Sequence, residues 1–201
     1  MLKIKRERNL IVVRRIATLL AVVLLCGGGY LLSLVGAPAI APLVFTKPID
    51  VNTLPSPKKT ENRIIIPKIG VNVVYGKGIS ALEHGAQWRY PERGDPESGG
   101  NFIIAAHRFT LAPTPGETVT KSPFFSIDKL VVGDKIVVDY NGTRFGYEID
   151  QLFTVTPEHT EIEARTSDAK LTLYSCELSG PEAGRVVVVA KPLGQVALNR
   201  T

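Results

Sequence analysis

The stretch KLTLYSCELSGPEAGRVVVVA, from Lys170 to Ala190, holds the chain's best candidate chemistry. Cys176 is the only cysteine outside the apolar N-terminal segment, and Arg185 follows it across a short polar stretch. Leu171 to Ser175 is rich enough in β-branched and aromatic residues to predict a strand ending at Cys176. Gly180, Pro181 and Gly184 give Glu177–Gly184 the composition of a turn. Val186 to Val189 reads as a second strand, buried on both faces. Paired as a hairpin, the two strands bring Cys176 beside Arg185. A permanent cation favours thiolate over thiol, which makes Cys176 a candidate nucleophile. A lone cysteine is more often a small buried hydrophobe, so the reading needs support from the rest of the chain.

That support begins with His107, which lies where the buried-type run Asn101–Ala106 ends, a good position for a general acid or base. The other two histidines are weaker candidates. His84 sits between Glu83 and Gly85 and reads as a solvated loop residue. His159 lies among Glu158, Glu161 and Glu163, but the spacing matches no strong metal motif, so no metal site is assigned.

Around these residues the sequence predicts mostly strands. Arg63–Ile66 and Lys68–Tyr75 are two, interrupted at Pro67 and Gly70. Ser80–His84 could form a helical turn. Trp88–Gly100 and Leu111–Ser122 read as loops, the latter mobile. Lys135–Tyr140 and Thr143–Val155 flank Asn141-Gly142, a strong hairpin signal. Thr156–Ala169 is helix- or loop-like. Short strands at intervals of about ten residues, with Gly, Pro and Asn turns, predict an all-β barrel or sandwich.

The N-terminus is different in kind. Lys3, Lys5, Arg6, Arg8, Arg14 and Arg15 stand against Glu7 alone, and this local excess equals the +5 net charge of the whole chain. The remainder is balanced, so the high isoelectric point is no sign of nucleic-acid binding, which calls for a basic patch on the folded domain. Ile16–Val35 is uncharged and about long enough to cross a bilayer as a helix. The basic residues before it predict a cytoplasmic segment 1–15, a transmembrane helix 16–35 and an exported domain beyond. A cleaved signal peptide ending near Ala39-Ile40-Ala41 is the rival, disfavoured by the longer apolar core and by Pro42. Cys26 reads as an apolar residue within the span. The proline-rich segment 36–61 reads as an extended, semi-stiff tether. The domain itself is expected over 62–195, with a tail at 196–201. One unpaired thiol facing an oxidising compartment is a liability unless used.

Taken together, His107, Cys176 and Arg185, in that order, with an anchor and a tether, resemble the sortases, cysteine transpeptidases of bacterial cell surfaces. The resemblance covers Arg63 to about Ala190. The family's Thr-Leu-x-Thr-Cys signature is matched by Thr172-Leu173-Tyr174-Ser175-Cys176, with Ser175 in place of Thr. Its Gly-Asn-x-x-x-x-Gly-His-Arg motif is matched by Gly100-Asn101 through His107-Arg108, with Ala106 in place of Gly. Arg185 opens the last strand, as the family's arginine does. Phe124-Phe125 to Asp134 resembles the family's stretch between histidine and hairpin. The two departures keep the hydroxyl and add only a methyl, and they leave the subclass open.

The resemblance implies a closed β-barrel of about eight strands with short helices, behind one N-terminal transmembrane helix, and a groove ending at Cys176. It implies attack by Cys176 on a Thr–Gly-type bond in a C-terminal sorting signal of the LPxTG kind. His107 would be the acid and then the base, and Arg185 would stabilise the oxyanion together with the backbone N–H of Glu177. Implied partners are secreted proteins bearing such a signal and an amine acceptor from a peptidoglycan precursor or a pilin. Thr156–Ala169 falls where the family keeps its signal-recognising loop. No cofactor is implied; calcium dependence occurs in part of the family, and Glu158, Glu161 and Glu163 do not argue for it.

Other classes of protein fit less well. An L,D-transpeptidase should show a His-Gly-Cys cluster, and a cell-wall amidase usually has its cysteine before its histidine. A membrane-tethered peptide-binding barrel without turnover would not need all three residues.

Overall fold

Asn141 and Gly142 turn the chain with positive φ at both positions, 48° and 84°. This is the turn whose twist suits a two-residue hairpin. It joins β6 (Lys135–Tyr140) to β7 (Thr143–Val155). Just inside the turn, Arg144 grips Asp139 with two bonds of 2.7 and 2.8 Å, and both side chains are buried. A bidentate pair of this kind fixes geometry as well as charge. The same guanidinium donates to the carbonyl of Pro55 at 2.8 Å, pinning the segment before the first strand to the hairpin.

The other strands are β1 (Arg63–Ile66), β2 (Val71–Lys77), β3 (Ala86–Arg89), β4 (Gly94–Asp95), β5 (Gly99–Ala106), β8 (Lys170–Glu177) and β9 (Gly180–Gln195). The structure is a computed structural model and describes residues 2–44 and 49–196. Among the described residues, eight strands close a ring in the order β3-β2-β1-β6-β7-β9-β8-β5, with β3 pairing back onto β5. The short β4 lies outside the ring, against β5. The expected closed barrel is therefore present. Two of the ring's pairs are parallel, β2–β3 and β5–β8.

The barrel interior is one apolar cluster running from Ile64 to Ala190. Tyr75, Trp88 and Phe102 meet edge to face there, with centroids 5.6 to 6.5 Å apart, a favoured aromatic arrangement. β5 reads Phe-Ile-Ile-Ala-Ala because it is covered on both faces, as expected of a strand with a parallel neighbour.

Three expectations need correction. The closing strand β3 contains Trp88, which the sequence assigned to a loop; only four residues long, it gave too short an alternation to register. Leu111–Ser122 holds a helix, α2 (Pro115–Thr120). Its start is chemically specified: the Thr114 hydroxyl accepts from the N–H of Glu117 at 3.2 Å, and Pro115 occupies the first turn, where proline is well tolerated. The N-terminal helix α1 runs from Leu2 to Val44, so residues 36–44, assigned to the extended tether, are helical despite Pro38 and Pro42. Contact with the domain overrides the breaker signal: Leu34 is 5% exposed, and Tyr30 donates its phenol hydrogen to the carbonyl of Pro113. Residues 45–48 of the tether and 197–201 of the tail lie outside the described residues.

Candidate active site

The parallel register of β5 and β8 positions the site. Asn101 faces Lys170, and the pairing continues to Ala105 opposite Tyr174. Two residues further on each strand lie His107 and Cys176, so both emerge at the same end of the barrel on neighbouring strands. On the other side of β8, the antiparallel register with β9 sets Cys176 opposite Arg185. The three residues thus form a row across three adjacent strands, with the cysteine in the middle.

Strand alternation decides which way they face. Ile103, Ala105, Tyr174 and Val187 form a small cluster separate from the main core, on the outer face of these strands. His107, Cys176 and Arg185 are each two positions from a member of that cluster and therefore share its face. All three line one cleft of about 360 Å³. Its walls include Gln87, Arg89 and Tyr90 on one side and Pro157, His159 and Thr160 on the other.

The residues around the row hold it in place. The Ser175 hydroxyl, facing inward, donates to the carbonyl of Ala106 at 2.7 Å. This ties the residue before the cysteine to the residue before the histidine. His107 is fixed from behind: its carbonyl accepts from Phe124, and the buried Arg108 donates to the Phe125 carbonyl and pairs with Asp128 at 2.8 Å. Gly100 has φ of 78°, and a Cβ there would lie 2.4 Å from the Arg93 carbonyl oxygen. Only glycine fits that turn and that approach. Thr172 donates to Asn101 Oδ1 at 2.7 Å, and Asn101 Nδ2 donates to the carbonyls of Ile162 and Ala164 at 3.0 and 2.8 Å. The two sequence motifs are thus bonded to each other, and together they hold the 156–169 segment against the barrel. Leu173 packs in the core, fully buried.

Arg185 Nη1 donates to the carbonyls of Pro181 at 2.5 Å and Gly184 at 3.0 Å. Among the described residues Nε and Nη2 make no such bond, which leaves most of the guanidinium's donors for a ligand in the cleft. The β8–β9 register breaks immediately after Cys176: Glu177 pairs with Gly180, so Pro181–Gly184 bulge out beside the cysteine. A bulge at this point re-aims the backbone locally.

Several residues at the site had no role in the sequence reading. Glu83 Oε1 lies 3.9 Å from His107 Nε2. Its carboxyl is held below the usual range, first by a hydrogen bond from Lys121 and then by that residue's charge. His159, weighed only as a metal ligand, lines the cleft, with Nδ1 3.0 Å from the Thr156 hydroxyl. The three glutamates of its segment diverge. Glu158 and Glu161 are exposed, whereas Glu163 turns inward, accepts from the Tyr174 phenol and pairs with Arg89 Nε at 2.7 Å. Burial, followed by Glu163, pushes the Tyr174 phenol well above its ordinary pKa. Among the described residues no group of three or more His, Cys, Asp or Glu side chains gathers as a metal-binding cluster. Tyr174 was findable, since it stands two residues before Cys176 in a strand and must share its face. Nothing local signals Arg89 or His159. His84 caps a short helical turn at Ile79–Glu83, close to the expected one.

Comparisons with known proteins agree with this architecture. The sortase domain family model matches residues 64–193. Sortase SrtE1 of Streptomyces coelicolor is 36% identical over 99 residues, which cover 45% of this chain and 26% of that protein, so the match spans about a quarter of that relative's length. The solved structure of a sortase D5 transpeptidase from Clostridium perfringens is 30% identical, with a TM-score of 0.54, over 67% of this chain and 79% of that one. The structure of sortase E1 from Streptomyces coelicolor with a tripeptide in its active site matches at 22% identity and a TM-score of 0.52, over 67% and 88% of the two chains; at that identity it speaks for the fold. With nearly the whole barrel matched, the chain belongs to the sortase family.

Proposed function

We propose that the protein is a membrane-anchored cysteine transpeptidase that cleaves a C-terminal sorting signal of the LPxTG kind and joins the released carboxyl group to an amine. The observation that carries the reading is the row His107–Cys176–Arg185 on three adjacent strands above one cleft. In the free thiol range an ordinary cysteine is about 3% ionised at pH 7, so neighbours that favour the thiolate matter.

The Cys176 thiolate attacks the carbonyl carbon of the Thr–Gly-type bond, and the carbonyl electrons move onto oxygen. Arg185, with the backbone N–H of Glu177, stabilises that oxyanion. Protonated His107 gives its proton to the departing amine as the C–N bond breaks, leaving a thioester on Cys176. An incoming amine attacks the thioester and passes its proton to His107, and the new amide forms as the thiolate leaves. Water in place of the amine gives slow hydrolysis, the endopeptidase outcome. No metal or cofactor enters this scheme.

The acceptor is an amine of a peptidoglycan precursor or of a pilin subunit, and the donor is a secreted protein bearing the sorting signal. The tripeptide held in the active site of the Streptomyces coelicolor enzyme is consistent with a peptide ligand in the corresponding cleft here. Helix α1 contains a candidate membrane span, Ile11–Ala41, with a mean hydropathy of 2.2. The basic residues at its start argue for a cytoplasmic N-terminus and an extracellular barrel at the cell membrane.

The test is to incubate the full-length protein in detergent with an LPxTG-type peptide and an excess of a glycine-based amine, and to read products by mass spectrometry. A ligated product is expected, and it should vanish with Cys176→Ala. Ligation by the Cys176→Ala chain would overturn the mechanism.

A further inference from the structure

The far end of α1 does not leave the domain free. Tyr30, Leu34, Pro38 and Ala41 recur at spacings of four, four and three residues, which puts them on one face of the helix. Tyr30 bonds to the Pro113 carbonyl and Leu34 is buried. Pro38 and Ala41 line an apolar crevice of about 280 Å³ with Ile69, Val71 and Phe125. The helix therefore climbs the flank of the barrel, from Pro113 at its lower end towards Ile69 at its upper end.

This docking constrains where the bilayer can end. A span of Ile16–Val35 would bury Tyr30 in hydrocarbon, and with it the irregular backbone around Pro113. Lipid-exposed irregular backbone is not tolerated there. If Tyr30 instead marks the outer interface, where tyrosine is favoured, the twenty or so residues from Ile11 to Tyr30 cover about 30 Å, the hydrocarbon thickness. Arg14 and Arg15 then lie within the first turns of the span and can extend their charges back to the inner surface.

Beside Tyr30, the loop from Phe109 to Gly116 carries no charge. It exposes large apolar side chains: Phe109 is 37% exposed and Leu111 55%. The geometry points to Phe109–Pro113 as a lipid-contact surface seated in the outer interface of the bilayer that α1 crosses. The occupant is the membrane because the helix that enters the membrane passes against this loop at Tyr30, where it would leave the hydrocarbon. The inference rests on the reading of α1 as a span. It goes beyond anchoring, since it makes the catalytic domain itself a membrane-bound body, with His107 two residues from the lipid.

Single tryptophans added to the full chain test it in phosphatidylcholine vesicles, some with bromine high on the acyl chain and some with bromine near its end. Leu111→Trp should lose most of its added emission to shallow bromine and little to deep bromine. Val132→Trp, in the turn that Lys68 holds through Asp134, should lose none. Leu24→Trp, within the span, should be quenched by deep bromine. Quenching of Leu24→Trp without quenching of Leu111→Trp overturns the contact surface and leaves the anchor standing. No quenching of Leu24→Trp overturns the span, and this inference with it. Equal quenching of Leu111→Trp and Val132→Trp also overturns the proposal, because it would mean that the domain has no preferred lipid-facing side.

Discussion

The two faces of β5, β8 and β9 are built from alternate residues of the same strands, yet they do opposite things. Phe102, Ile104, Leu171, Leu173, Val188 and Ala190 face inward and belong to the large core. Ile103, Ala105, Tyr174 and Val187 face outward and make a small platform. From that platform project His107, Cys176 and Arg185. The inner face supplies burial; the outer face carries the proposed chemistry, and there Tyr174 is tied to Glu163 while Arg185 keeps Nε and Nη2 free of hydrogen bonds among the described residues. Rigidity and reactivity lie one residue apart, so a substitution should affect one far more than the other according to its parity along the strand.

The sharpest test is Arg185→Ala, on the outer face. If Arg185 has its proposed role, the substitution should lower kcat about 10²–10³-fold, the usual cost of removing an oxyanion donor, with little change in KM or in denaturation midpoint. A variant that unfolds instead would show that the faces are not separable. Next is Leu173→Ala, on the inner face. It should cost about 2–5 kcal/mol in chemical denaturation, as for other large core truncations, while kcat per folded molecule stays near that of the parent.

A pH titration compares the faces within one molecule. Burial raises the phenol pKa values of Tyr75 and Tyr147 inside the barrel and of Tyr174 outside it. A folded-state pKa above the unfolded one gives stability that is complete below the unfolded value, about 10, and is lost above it. Each tyrosine should therefore cost about 1.4 kcal/mol per pH unit above pH 10 until its folded pKa is reached. Tyr174→Phe should remove its own share, about 1.4 kcal/mol per pH unit, from that slope, measured by denaturation between pH 10 and 12. An unchanged slope would mean that the outer platform is not as dry as the core. The smallest effect is expected from Ser175→Ala, which removes the hydroxyl's bond to the Ala106 carbonyl. A loss of about 1 kcal/mol and a modest fall in kcat should follow, with Ser175→Thr restoring both.

What could be read in the sequence follows the range of the interactions. Cys176 and Arg185 belong to one hairpin, so their pairing needed only the strand and turn pattern between them. His107 was placed by the end of a buried-type run, and the Asn141-Gly142 turn by its own two residues. The β3 strand was invisible because its four residues matter only as the partner that closes the ring. The Glu163–Arg89–Tyr174 contacts join three distant segments and leave no local mark. Pro38 and Pro42 misled because a breaker signal reports local preference, and here a docked helix face outweighs it. The motifs were visible as patterns, but the bonds Thr172–Asn101 and Ser175–Ala106 that give them a purpose required the β5–β8 register.

The pinning of Pro55 by Arg144, together with the helix continuing to Val44, bears on how far the enzyme can travel. The 26 or so residues from Gly36 to Glu61, if fully extended, would let an active site wander up to roughly 90 Å from the membrane. With 36–44 helical and Pro55 pinned, the described parts of that segment add little leash. If α1 spans a membrane as proposed, the search for partners then happens in a thin sheet along that membrane. Donor and acceptor would have to arrive at that height themselves, and lateral diffusion, not domain swing, would set how often they meet.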